Sequence, residues 1–442
     1  MATKIKPVIF GNWWRGIGTS KYDEAYFADI VNADILTEVG TIRCQRAIAK
    51  NSGTSVSDSM LRAVTPSGTT YYFSTTSGTI VKRSNSGTYS SVTANSNTTG
   101  HLGAGFYNGY VYYATATKLG RFVPETEGDR NDSFQTFAVG DPAFHPMTVH
   151  NLKLFVGDGN KVASIDSASA FNSSAMGTGL ESQYRITDIQ RYGNDLLICT
   201  GVSSYIAHSG IFRWDTFSAS WTDEDYIDEP FINYAIYSDT TDIVFISAGT
   251  KGNIYLYDGT KLSFYTNIPY SSNIGQQLKS SFERRPLFAV QGRIYSITSP
   301  QRSMAPAVNH EYTVSAGASA IIYSIAVVGS NILVSWKNGT DYGIDALSDN
   351  YAVTSFTTPI VSNRKNIDVR IPFDLMPSGC SLTLETNVDN AGFVAKALVK
   401  DAADMNMFRL DGHLANHRTV QARVTLNPNG TTTPVVPHIE FW

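Results

Sequence analysis

Seven times between residues 71 and 336 a small polar turn leads into a short apolar strand, and this recurrence limits the fold more than any other feature of the chain. The strands open at Tyr71, Tyr110, Leu152, Leu196, Ile243, Ile294 and Ile332, after turns such as Asn108-Gly109, Asn194-Asp195 and Asp242. Successive openings lie 39, 42, 44, 47, 51 and 38 residues apart. A second strand follows six of them, at Ile80, Leu119, Val162, Ile211, Ile254 and Ile344; in the irregular sixth unit the nearest equivalent is Tyr312. A period of about 40–50 residues with room for four strands is that of a β-propeller blade. Runs such as Ile243–Ile246 and Leu196–Cys199 are apolar at successive positions. A strand covered on both faces reads that way, whereas a strand wet on one face alternates. The expectation is an all-β chain, with a seven-bladed propeller over 46–361 and each opening residue starting a strand near the axis. Six or eight blades, or an irregular sandwich or solenoid, are the alternatives. The WD dipeptide occurs once, at Trp214-Asp215, so this is not a WD40 chain in the motif sense.

Past residue 361 the texture changes. In "NIDVRIPFD", Ile367, Val369, Ile371 and Phe373 fall on one face, with Asp368 and Arg370 on the other. Cys380, Leu382 and Leu384 alternate likewise, as do Val420, Ala422, Val424 and Leu426. Such alternation marks strands with one dry face. Residues 362–442 are therefore expected to form a small separate β-sandwich. The first 45 residues lack the repeat and read as an arm. Its apolar residues include Trp13, Trp14, Tyr26, Phe27 and Ile30, too many to cover themselves. They are expected to pack on the propeller or to dock on a neighbouring subunit, and these five are the candidate partner-binding residues.

The composition excludes several functions. Charged residues are 16% of the chain and the formal net charge is −4, with no Lys/Arg cluster, so no sequence-specific nucleic-acid partner is expected. Cys44, Cys199 and Cys380 are widely separated and odd in number, which argues for core residues rather than disulfides or a zinc site. "MATKIKPVIFGNWWRGIG" has no apolar core of signal-peptide length, and "AIIYSIAVVG" at 320–329 is too short to span a bilayer. No membrane association and no secretory signal are expected.

No catalytic signature is evident, and an enzyme is not expected. His413 and His417 sit at i, i+4 without the Glu of H-E-x-x-H. The run "DEDYIDEP" is the best cation candidate, because clustered carboxylates suit calcium. Asp223, Asp225 and Asp228 are its weak metal ligands, beside Glu224 and Glu229, although a solvated loop is the plainer reading. Asp129 and Asp132 in "EGDRND" read as a solvated loop in the same way, and Glu125, Glu127 and Arg284-Arg285 form no recognisable constellation. No cofactor is expected.

The arm stretch "FADIVNADILTEVGTIRCQRA" leads into irregular propeller repeats. These end in "KNIDVRIPFDLMPSGCSLTLETNVDNAG" and "HRTVQARVTLNPNGTTTPVVPHIEFW". This arrangement resembles the propeller-bearing structural proteins in the tails of bacteriophage virions, which sit as hub, nozzle or tip components. The resemblance implies a virion tail protein, assembled in the host cytoplasm, whose partners are other tail subunits. It also implies a homo-oligomeric ring or trimer, with contact to a host-surface glycan or protein as a further role open to such a component. Two other classes stay open: a carbohydrate-active propeller enzyme such as a capsule depolymerase, and a lectin-like receptor-binding module.

Overall fold

The computed structural model describes residues 8–11, 15–18, 26–35, 37–38, 40–92, 99–202, 208–239, 241–268, 277–282, 285–298, 306–362, 369–372, 376–395, 407–409 and 419–441. Among them there is no α-helix, and so none that could cross a membrane. The chain is all-β, built largely from four-stranded antiparallel sheets of the kind that make up β-propellers.

Two compact units divide it. One comprises 50–292 and 314–346; the other comprises 1–49, 293–313 and 347–442. Seven four-stranded sheets follow one another along the chain. Their first strands are Met60–Val64, Gly103–Tyr107, Met147–His150, Tyr184–Tyr192, Ile232–Ser238, Lys279–Phe282 and Ile321–Val328. In the first six sheets the remaining three strands follow in sequence. The seventh runs Ile321–Val328, Asn331–Asn338, Asp341–Tyr351 and then back to Arg46–Lys50, a strand that precedes the first sheet in the chain. The return is held beyond the strand by Asn51 N–H on the Ile344 carbonyl (2.8 Å) and Ile344 N–H on Ser52 Oγ (3.0 Å).

The apolar openings of the repeat lie in or just before the second strand of their sheets, beside the first strands. The exception is Ile294, which sits in the third strand of the sixth sheet; the second is Arg285–Val290. Leu287–Val290 is itself an unbroken apolar run, but Arg284-Arg285-Pro286 precedes it rather than a small polar turn, so the Gly292-Arg293 turn marks the next strand instead. With Leu287 in its place the spacings become 44 and 45 residues, counting from Ile243 and on to Ile332.

Cores lie between successive sheets. Tyr71 and Phe73 of the first pack with Val111, Tyr113 and Phe122 of the second. Tyr112 and Leu119 of the second pack with Leu154, Val156 and Ile165 of the third. Phe155 of the third meets Ile198, Phe212 and Trp214 of the fourth. Leu197 and Ile211 of the fourth meet Val244 and Ile246 of the fifth. Ala326, Leu333 and Ile344 of the seventh pack on Met60, Tyr72 and Val81 of the first. Leu196 is fully buried, as its run of apolar neighbours requires, whereas Ile243 is only half-buried at its strand's edge.

In the other unit the arm does not stand apart. Val8–Phe10 pairs with Ile439–Phe441, which pairs with Val369–Pro372. Asp29–Val31 pairs with Thr354–Thr357, which pairs with Thr419–Asn427. Ile42–Cys44 bridges Ala33–Asp34 and Val435–Val436. Phe10, Phe27, Ile30 and Ile35 share one core with Val369, Leu382, Leu384, Val424 and Phe441. The alternation read beyond residue 361 is present: Leu382, Leu384, Val420, Val424 and Leu426 point into this core. Those strands do not close it alone, and strands from the first 45 residues complete it.

Candidate functional site

Three of the first strands carry a register shift at corresponding places. It falls between Ile186 and Asp188 in the fourth sheet, Ile232 and Tyr234 in the fifth, and Ile322 and Ser324 in the seventh. A bulge inserts one residue and re-aims its side chain. Thr187 and Asn233, the inserted residues of the fourth and fifth sheets, both line a cavity of about 90 Å³. Arg62, Met147, Asp188 and Lys279 line it as well, so first strands of five sheets meet there.

A polar network holds its walls. Gln277 Oε1 accepts the Arg62 backbone N–H (2.5 Å) while Gln277 Nε2 donates to the Ala104 carbonyl (2.8 Å). Lys279 Nζ donates to Asp188 Oδ2, to Gln190 Oε1 (3.1 Å) and to the Ala235 carbonyl (2.7 Å), which uses all three of its protons. Asp188 Oδ2 also accepts the Ala235 N–H (2.7 Å). Arg62 differs from Lys279. Its Nε donates to the Ile325 carbonyl (2.6 Å) and one Nη to the Lys279 carbonyl (3.4 Å), both backbone groups, with no carboxylate partner among the described residues. Burial lowers its guanidinium to about 10, so it stays charged at neutral pH. Asn233 donates to the Gly249 carbonyl (3.2 Å) and to Ser247 Oγ (3.4 Å), and its buried Oδ1 has no partner among the described residues.

The candidates read from the sequence lie elsewhere. Asp223 and Asp225 belong to the outer strand Asp223–Ile227 of the fourth sheet. Burial and the Asp223 charge raise the Asp225 carboxyl, and Trp221 Nε1 donates to Glu224 (2.9 Å). Asp228 faces His208 at 3.3 Å. Among the described residues no group of three or more His, Cys, Asp or Glu could hold a metal ion. Glu125 accepts from Ser67 (3.0 Å) and Thr69 (3.1 Å) in the first sheet's turn, and Asp132 accepts from Tyr113 and Arg130 within the second sheet, so each is held in a local structural contact. His413, His417, Arg284, Trp13 and Trp14 lie outside the described residues. Tyr26 is half-buried beneath the Arg15 guanidinium. Phe27 (4% exposed) and Ile30 (0%) are covered by the chain's own core. That corrects their reading as partner-contact residues: the strand pairing of 29–31 with 354–357 already takes up their apolar surface.

The cavity was missed in the sequence because its walls come from five distant segments. Its one local trace is a charge within a strand otherwise covered: Arg62 between Leu61 and Ala63, and Asp188 between Thr187 and Ile189.

No family model and no curated protein matches the chain. Among solved structures it is similar to virginiamycin B lyase from Staphylococcus aureus, with 12% identity over 70% of this chain and 98% of that one and a TM-score of 0.49. It is similar also to a streptogramin B lyase, with 11% identity, 70% and 97% coverage and a TM-score of 0.48. A third is the Dos1 propeller, with 12% identity, 69% and 95% coverage and a TM-score of 0.48.

Proposed function

We propose that this chain is a structural component of a tailed-phage virion, placed in the tail as a tip, hub or nozzle part. In this reading the seven successive sheets are the blades of one propeller, closed by Arg46–Lys50. The three sheets that share the second core form a sandwich-like β-body built from both ends of the chain. The protein acts by contact with other tail subunits, as a ring or trimer, and not by catalysis. One observation carries the reading: the two stretches that resemble phage tail proteins, 27–47 and the segment after 365, contribute to a single core. Their sequence patterns are thus parts of one folded body, which is what a shared architectural element would require. Mass spectrometry and labelled-antibody imaging of particles purified from lysed cells test it. The chain should co-purify with particles at fixed stoichiometry and label one end of the tail. A chain left in the soluble fraction, with label-free particles, refutes it.

A further inference from the structure

Each four-stranded sheet ends in an outer strand whose edge can template another chain, and most of these edges are blunted. Those of the first and third sheets, Tyr89–Ser91 and Phe171–Asn172, are only three and two residues long. That of the second, Asn131–Thr136, carries Asp132, and that of the fourth, Asp223–Ile227, carries three carboxylates. On the sixth, the Val308 carbonyl already accepts the Ile17 N–H (2.9 Å). The seventh ends in Arg46–Lys50, with a base at either end. The fifth is the exception: Leu262–Asn267 is six residues long, holds no charge, and leaves Phe264 58% exposed.

Phe264 pairs with Tyr255 in the ladder, and their rings lie 5.7 Å apart. Tyr255, Tyr257 and Leu262 belong to the core shared with Ile211 and Ile227 of the fourth sheet, so this face of the fifth sheet looks toward the fourth. Asp223 and Asp225 alternate with Ile227 onto the facing wall, and both lie within electrostatic reach of the Tyr257 hydroxyl. Arg213, beside Asp223 in its ladder, is paired with Asp195 (2.6 Å). Among the described residues Asp223 accepts only the Glu224 N–H (2.9 Å), and Asp225 has no partner. Two carboxylates thus stand unneutralised beside an aromatic wall and an open backbone edge.

We propose that Leu262–Asn267 takes up an extended, basic segment of another protein as a fifth strand, its Lys or Arg stems laid over Phe264 and their charged heads on Asp223 and Asp225. Backbone hydrogen bonds along the edge supply affinity, and the carboxylates select the sign of the partner. Long basic side chains suit the groove because an aliphatic stem covers an aromatic ring while the cation reaches an acid. A second copy presenting the same strand would bring no base to these carboxylates. The inference goes beyond the virion reading and does not rest on it.

Fluorescence anisotropy of the labelled peptide TKVKVKVT with the full chain tests it. The comparison arms are TEVEVEVT and the basic peptide methylated at every backbone nitrogen, which removes the ladder donors. Saturable binding of the basic peptide is expected, with both others at least tenfold weaker. Asp223→Asn/Asp225→Asn should cut its affinity at least tenfold, and Phe264→Ser at least threefold, while circular dichroism shows the strands retained. Absence of saturable binding by the wild-type chain overturns the proposal, whether or not the variants fold. So does equal affinity for the acidic peptide or for the methylated one, and so does unchanged affinity in either folded variant.

Discussion

The covering of Phe27 can be tested by a double-mutant cycle with Phe356. The two rings lie 5.5 Å apart at 62°, edge to face, in the core that joins the arm to the strands of the C-terminal region. Ile30 pairs directly with Phe356 in the ladder, and the Ala28 N–H donates to the Thr357 carbonyl at 3.0 Å, so the backbone around Phe27 is fixed as well. Truncating a buried phenylalanine to alanine costs about 3–5 kcal/mol, from lost transfer energy and the cavity left behind. An edge-to-face pair adds about 0.5–1.5 kcal/mol beyond burial. Phe27→Ala and Phe356→Ala should each destabilise by several kcal/mol. The double variant should lose less than the sum, by about that pair term. The assay is hydrogen–deuterium exchange of the 354–357 amides in the isolated chain, read as the free energy of opening. Deleting residues 1–35 should be far worse. It removes Phe10, Phe27, Ile30 and Ile35, worth about 6–12 kcal/mol of burial, which matches the whole stability of an ordinary domain. An unchanged opening free energy in Phe27→Ala, with loss of incorporation into particles, would refute this reasoning and restore the arm as a docking element.

Leu196→Asp buries a carboxylate between the fourth sheet and its neighbour and should abolish soluble protein, whereas Ile243→Asp, at a half-exposed strand edge, should leave a folded chain with a lowered melting temperature; equal behaviour of the two in a solubility and melting assay contradicts the burial pattern. Burial lowers His101 and His310 from 6.5 to about 4, so between those values the unfolded chain binds the protons and the folded chain does not; stability should be full above pH 6.5 and fall toward pH 4 by about 1.4 kcal/mol per pH unit for each residue, and a urea titration series with unchanged slope in His101→Gln and His310→Gln would count against it. Incubation with host capsule or lipopolysaccharide should leave glycan chain length unchanged; shortening that disappears in Asp223→Asn/Asp225→Asn would replace the structural reading with an enzymatic one.

Part of this architecture was legible in the sequence because it is local. Period-two alternation in "CSLTLE" and "TVQARVTL" records a strand with one dry face, and both segments have it. Runs such as Leu196–Cys199 record a strand covered on both sides, and the spacing of such runs counts repeats. The sixth repeat is displaced by one strand because Arg284-Arg285-Pro286, and not a small polar turn, precedes the run Leu287–Val290, whereas Gly292-Arg293 precedes Ile294. What the sequence left undecided is which surface each strand meets. The composition of the arm shows only that Phe27 and Ile30 must be covered; that Phe356 and Val424 cover them follows from pairings across more than 300 residues. The cavity is of the same kind. Arg62, Asp188, Asn233 and Lys279 have no common spacing, and a one-residue bulge, which leaves no periodic trace, turns Thr187 and Asn233 toward it. Side-chain period is written along the chain, whereas the meeting of charges is set by how sheets pack, and only the tertiary structure decides that.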